Sequence, residues 1–171
     1  MTETLEPALP PEVEERAQRV LELACERELY LATAESCTGG LLAALLTDVP
    51  GYSHIFERGF VTYSNQAKCD LLDIERRRVD TCGAVSEQIA IDMALGALHR
   101  SKAHIALSVT GYAGPPGEDD DGEEGLVHFA CARKNGKVTH REEHFGEVGR
   151  QGVRLASLQV ALEMIEEALN D

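Results

Sequence analysis

The sequence predicts one three-layer α/β/α domain around a mixed sheet. Three observations predict it. Short apolar runs alternate with segments whose apolar residues recur at helical spacing, the pattern of strands joined by crossover helices. An Asn-Gly pair between two alternating runs marks an antiparallel hairpin late in the chain. The 171 residues, 43% of them hydrophobic, suffice for one core and leave little room for a second.

Taken in order, residues 1–11 are acidic and proline-rich and read as a mobile leader, with the domain over 12–171. From Glu12, the positions Val13, Ala17, Val20, Leu21 and Ala24 form one apolar helix face. Tyr30 to Ala34 is a short apolar strand. Glu35 to Gly40 is a tight polar turn leading into Leu41–Leu46, apolar enough to read as a buried helix, and Pro50-Gly51 closes it. Phe56 to Tyr63 is the second strand, and Ser64-Asn65 caps a short helix over Gln66–Leu72. Arg76-Arg77-Arg78, between Glu75 and Asp80, reads as a solvated turn. Ser86 opens an amphipathic helix to about His99 on Ile89, Ala90, Met93, Ala94 and Ala97. Ala103–Val109 is a strand and Thr110–Gly125 a long loop. Leu126–Arg133 and Val138–Phe145 form the hairpin about Asn135-Gly136, and a helix from Gly149 to Leu169 ends the domain.

The composition excludes several function classes. A net charge of −14, from 30 acidic and 16 basic residues, repels phosphodiester backbones, so direct nucleic-acid binding is disfavoured. Five cysteines without a C-x-x-C pair suggest reduced thiols, not a disulfide framework or a zinc knuckle. No signal-peptide pattern and no membrane-length apolar run occur, so a cytoplasmic protein without a membrane partner is expected. The acidic run Glu118–Glu124 lacks the alternating ligands of a calcium loop. His140 and His144 share one strand face without an evident third ligand, so surface positions are expected for them. Neither a metal nor a cofactor is expected.

In an open α/β sheet, ligands bind beyond the carboxyl ends of the strands. Three segments occupy such places. In Glu35-Ser36-Cys37-Thr38-Gly39-Gly40, a serine sits in a strand-to-helix turn whose N–H groups and helix dipole suit an oxyanion or a phosphate. A plain N-cap has the same composition. In Tyr63-Ser64-Asn65-Gln66-Ala67-Lys68, a lysine in an uncharged stretch serves as a base if burial lowers its pKa; an exposed helix lysine is the other reading. Thr110-Gly111-Tyr112-Ala113-Gly114-Pro115 gives backbone donors close access to a ligand, and is equally a simple Gly/Pro loop. Farther on, Arg150 and Arg154 share a helix face and suit a phosphate clamp, or ordinary surface charge.

Together these segments resemble the CinA C-terminal domain family of nicotinamide-nucleotide amidases. The carrying residues are Ala34–Gly40, Phe56–Asn65 with Lys68, Gly83-Ala84-Val85-Ser86, Gly111–Pro115, and Arg150 with Arg154, in order along Val13 to Leu169. The resemblance implies hydrolysis of the carboxamide of nicotinamide mononucleotide, with Ser36 as nucleophile, Lys68 as base and Tyr63 as a third catalytic residue, placed to pass a proton or orient the lysine. Glu35, Cys37, Thr38, Gly39, Gly40, Thr110, Gly111, Gly114, Arg150 and Arg154 are then expected around a small pyridine nucleotide. It also implies a fold related to anticodon-binding domains, and homo-oligomers. Some family members carry a further N-terminal domain similar to molybdopterin-binding proteins; this sequence matches the amidase part. Glu118 and Glu123-Glu124-Gly125 depart from the Gly-Gly and Lys-Pro-Val-Gly common in that loop, and Gly149 stands where Asp or Asn is frequent. A non-catalytic nucleotide-sensing or partner-binding domain on the same scaffold is the alternative, and Cys37 is the rival nucleophile.

Overall fold

The computed structural model describes residues 9–171, so most of the expected leader lies outside the described residues. Helix α1 (Pro11–Glu26) begins with proline, where the missing N–H forfeits no helical bond. Strand β1 (Leu31–Glu35), helix α2 (Leu41–Asp48) and strand β2 (Phe56–Val61) follow. Helices α3 (Asn65–Leu72), α4 (Arg76–Cys82) and α5 (Glu87–His99) lead to strand β3 (Ile105–Gly111). The antiparallel strands β4 (Leu126–Arg133) and β5 (Val138–His144) and helix α6 (Gly149–Asn170) complete the domain.

The five strands lie in the order β2-β1-β3-β4-β5, parallel across the first three and antiparallel beyond. This is the expected mixed sheet. Alternate strand residues feed two cores. Leu31, Leu107, Val109, Val127 and Phe129 face α1, α2 and α6. Ala32, Ala34, Ala106, Ala130 and Ala132 face α3 to α5, where Ala90, Ala94 and Ala97 meet them. Small side chains on both surfaces let α5 lie close over the sheet. At Gly96 the fit is closest, since an added Cβ there would stand 2.3 Å from the carbonyl oxygen of Leu72.

Four local expectations are corrected. Arg76–Arg78 begin a helix, not a turn, because Val79 anchors it in the core while Arg76 pairs with Asp80 one turn on and Arg78 with Asp92. In α2 only Leu42, Leu45 and Leu46 are buried; the apolar run covers one face of a helix that is otherwise partly exposed. The hairpin uses a longer connection than Asn-Gly suggests, since Gly136 alone has positive φ. Its N–H reaches the carbonyl of Arg133, and the N–H of Arg133 reaches Lys137, a type I turn followed by a glycine bulge. Finally, His140 is only partly exposed, stacked on the buried His128 with their ring nitrogens 3.0 Å apart, while His144 lies at the surface as expected.

Candidate active site

Strand β1 ends at Glu35, level with Val61 at the end of β2, while β3 runs on from Val109, the partner of Glu35, to Gly111. Two further backbone bonds hold the exits together: Ser36 N–H donates to Val109 at 2.9 Å, and Thr62 N–H to Glu35 at 2.8 Å. The chain leaves β1 toward one neighbour and later returns past it to the other. The crevice beyond β1 is the switch point where such sheets bind ligands.

Ser36 begins the turn after β1. Lys68 arrives on α3, the short helix after β2, whose phase is set by Ser64, which caps it by accepting from Ala67 N–H. Lys68 and Leu72, one turn apart, form the inward face of α3. Lys68 is 1% exposed and Ser36 8%. Lys68 Nζ lies 3.0 Å from Ser36 Oγ and donates to the carbonyl of Thr62 at 2.9 Å. Burial disfavours its charged form and pulls its pKa down to about 8, against smaller opposing effects of Cys37 and Cys69. A lysine so placed holds a lone pair near neutral pH and has a hydroxyl within reach. That is the requirement for activating serine.

The turn beyond Ser36 is set by glycine. Gly39 and Gly40 have φ of +60° and +96°, which L side chains resist. The N–H of Gly39 donates to Ser36 O at 3.1 Å and is thereby occupied, leaving the N–H groups of Cys37 and Thr38 without acceptors among the described residues. They sit at the N-terminal approach to α2, where negative charge is favoured. The Cys37 thiol is buried, and desolvation pushes its pKa up to about 12, which favours the protonated thiol over the thiolate.

Several expected ligand-contacting residues serve the scaffold instead. Glu35 is fully buried and accepts from Leu42 N–H at 2.8 Å and Ala43 N–H at 3.0 Å; it caps α2 from the strand and faces away from the pocket. Thr38 is buried, and its carbonyl accepts from Arg154 Nη2 at 2.8 Å. Arg154 thus holds the Ser36 turn from α6 through one nitrogen, while its Nε is buried without a hydrogen-bond partner among the described residues. A Cβ added at Gly39 would come 3.3 Å from that same guanidinium, so glycine also makes room for it. Tyr63 borders the pocket but is 69% exposed, and Thr62, not Tyr63, supplies the bond that orients Lys68.

The pocket itself has a volume of about 280 Å³. Ser36, Cys37, Lys68, Thr110, Gly111, Gly114 and Arg150 all line it, as the sequence suggests. Thr110 Oγ1 donates to Ala84 O at 2.7 Å, tying β3 to the loop before α5. Arg150 crosses Gly114 so closely that a Cβ there would stand 2.7 Å from its Nη2. Ala84, Val85, Tyr112 and Asp120 also line the pocket, although spacing alone gives no hint of a role for them. A larger groove, of about 750 Å³, runs past Leu72, Arg78 and Leu95 and contains neither Ser36 nor Lys68. Among the described residues no group of three His, Cys, Asp or Glu side chains is arranged to hold a metal ion. No helix among them is long and apolar enough to cross a membrane.

The sequence model of the CinA C-terminal domain matches residues 13–169. The chain belongs to this family. It is 47% identical to the nicotinamide-nucleotide amidohydrolase PncC of Enterobacter agglomerans over 78% of this chain and 83% of that one. It is 49% identical to a CinA-like protein of Chlorobium phaeobacteroides (strain BS1) over 81% of this chain and 34% of the relative, and so spans about a third of that longer protein. The crystal structure of competence/damage inducible protein CihA from Agrobacterium tumefaciens superposes with a TM-score of 0.92 at 46% identity, covering 97% of this chain and all of that one.

Proposed function

We propose that the protein hydrolyses the carboxamide of nicotinamide mononucleotide to nicotinic acid mononucleotide and ammonia. The observation that carries this reading is the buried Ser36–Lys68 contact at 3.0 Å, in a pocket with a guanidinium at its edge. The similarity to PncC proteins supports the choice of amide.

In this mechanism neutral Lys68 keeps one N–H on Thr62 O and turns its lone pair to the Ser36 hydroxyl. Ser36 Oγ attacks the carboxamide carbon as its proton passes to Nζ. The tetrahedral oxyanion takes the N–H groups of Cys37 and Thr38, aided by the start of α2. Collapse breaks the C–N bond, and the Lys68 ammonium returns the proton to the departing nitrogen, giving ammonia. Water, deprotonated by Lys68, then attacks the acyl-serine, and Ser36 leaves with the proton. Arg150 binds the phosphate, and Tyr63 offers an aromatic wall to the ring. The same reading assigns the enzyme to the cytoplasm, consistent with five unpaired cysteines, and to a homo-oligomer, which light scattering tests.

The deciding experiment is ammonia release from nicotinamide mononucleotide, nicotinamide riboside and nicotinamide. The mononucleotide is hydrolysed fastest, and Ser36→Ala abolishes turnover. Stoichiometric nucleotide binding without ammonia release sinks the reading and leaves a sensing domain.

A further inference from the structure

We propose that Asp120 is a specificity residue of this pocket, its carboxylate selecting the cationic, quaternised ring of a nicotinamide nucleotide over the uncharged ring. This rests on the amidase reading above and goes beyond it.

Of the acidic residues over 118–124, only Asp120 lines the pocket with Ser36 and Lys68. It is held there by two contacts. Its N–H donates to Gly117 O at 3.0 Å, and its Oδ1 accepts from Tyr112 Oη at 3.4 Å. The loop then folds back over Tyr112 at Gly122, where an added Cβ would come within 2.1 Å of the ring. Gly122 thus lets the backbone lie flat on Tyr112, and Tyr112 in turn fixes the carboxylate at the rim.

Apart from Lys68, whose charge comes and goes near pH 8, the charged side chains lining the pocket are one carboxylate, Asp120, and one guanidinium, Arg150. A ligand that matches both carries a cation and an anion of its own. A nicotinamide nucleotide has these as the quaternary ring nitrogen and the phosphate, and only the ring charge disappears on reduction. Taken as a sphere, the cavity is roughly 8 Å across. A carboxylate acting over that distance near the surface shifts the affinity for a cation by about ten-fold.

The test measures binding of oxidised and reduced nicotinamide mononucleotide by calorimetry, in Ser36→Ala protein so that neither turns over. Adding Asp120→Asn lowers the oxidised-to-reduced affinity ratio about ten-fold, and 0.5 M salt erases much of that difference. Glu118→Gln, which removes the same charge from the same loop outside the pocket, changes the ratio less than two-fold. Intrinsic differences between the ligands cancel in the comparison of variant with parent. If Asp120→Asn weakens both forms equally, or leaves the ratio within two-fold, the proposal is overturned while ammonia release by the parent still upholds the amidase reading. If neither form binds and the parent releases no ammonia, both fall.

Discussion

Lys68 Nζ and Ser36 Oγ meet at 3.0 Å although 32 residues separate them in the chain. What closes that distance is the level ending of β1 and β2, which brings the turn after one and the short helix after the other to the same crevice. Among the described residues the amine has no carboxylate partner, only a hydroxyl and a carbonyl. Its environment therefore favours the neutral amine. The chemistry and the folding energetics of this lysine oppose each other in a way that pH can reveal.

The rate of hydrolysis, as kcat/KM, rises with pH through about 8 and levels off above it. Below that pH Lys68 is protonated and cannot accept, so each further unit down costs about ten-fold. Stability carries the matching signature. The folded pKa lies below the ordinary lysine value of 10.5, so between about 8 and 10.5 the unfolded chain binds more protons, and this group's contribution to stability rises with pH in that window. Stopped-flow or coupled ammonia assays over pH 6 to 10 measure the first, and urea titrations the second. A rate already flat at pH 6 excludes Lys68 as base.

Substitutions at the turn separate the two candidate nucleophiles. Ser36→Ala lowers kcat by at least about a thousand-fold, whereas Cys37→Ala stays within several-fold of the parent. The buried thiol, with its pKa near 12, also resists iodoacetamide at pH 8. An inactive Cys37→Ala protein that remains folded by circular dichroism, beside an active Ser36→Ala, reverses the assignment.

Much of this was legible before the fold was known, and the limits are physical. Periodicity marks an element by its buried face, so every strand and the long helices could be placed, with ends displaced by one or two residues. Glycines and an uncharged stretch mark the Ser36 turn and Lys68 only weakly, since an N-cap and an exposed helix lysine look the same; the resemblance to the family is what joins them in one site. The roles of Glu35 and Arg154 were not. Whether Glu35 faces the substrate or the helix behind it depends on which side of β1 the residue falls, and the register of β1 between β2 and β3 decides that. Arg154 meets Thr38 across 116 residues of sequence, a contact set by how α6 packs. Asp120 carries no pattern of its own; it reaches the pocket because Gly122 folds the loop onto Tyr112.

Arg154 is a positioning residue, so its removal splits the kinetic constants. Arg154→Ala frees the Thr38 carbonyl and loosens the turn that presents Ser36, lowering kcat by about ten- to a hundred-fold with little change in KM. Arg150→Ala does the opposite, raising KM for the mononucleotide while sparing nicotinamide riboside, which has no phosphate. Steady-state kinetics on both substrates distinguish the two. A raised KM with unchanged kcat in Arg154→Ala restores the paired phosphate clamp.

Glu35 tests the scaffold beneath the site. Its carboxylate accepts from two N–H groups of α2, donors that a helix cannot satisfy internally. Glu35→Gln retains one acceptor oxygen and places an amide donor beside the second N–H, while Glu35→Ala leaves both donors buried without partners. Each lost partner costs about 1–3 kcal/mol, so Glu35→Ala destabilises by roughly 2–6 kcal/mol and Glu35→Gln by about half as much. Urea unfolding followed by circular dichroism measures both. Because α2 starts directly after the Ser36 turn, Glu35→Gln protein that is still folded also loses kcat. If it retains full activity, α2 does not hold the nucleophile in place, and the turn owes its geometry to Gly39, Gly40 and Arg154 alone.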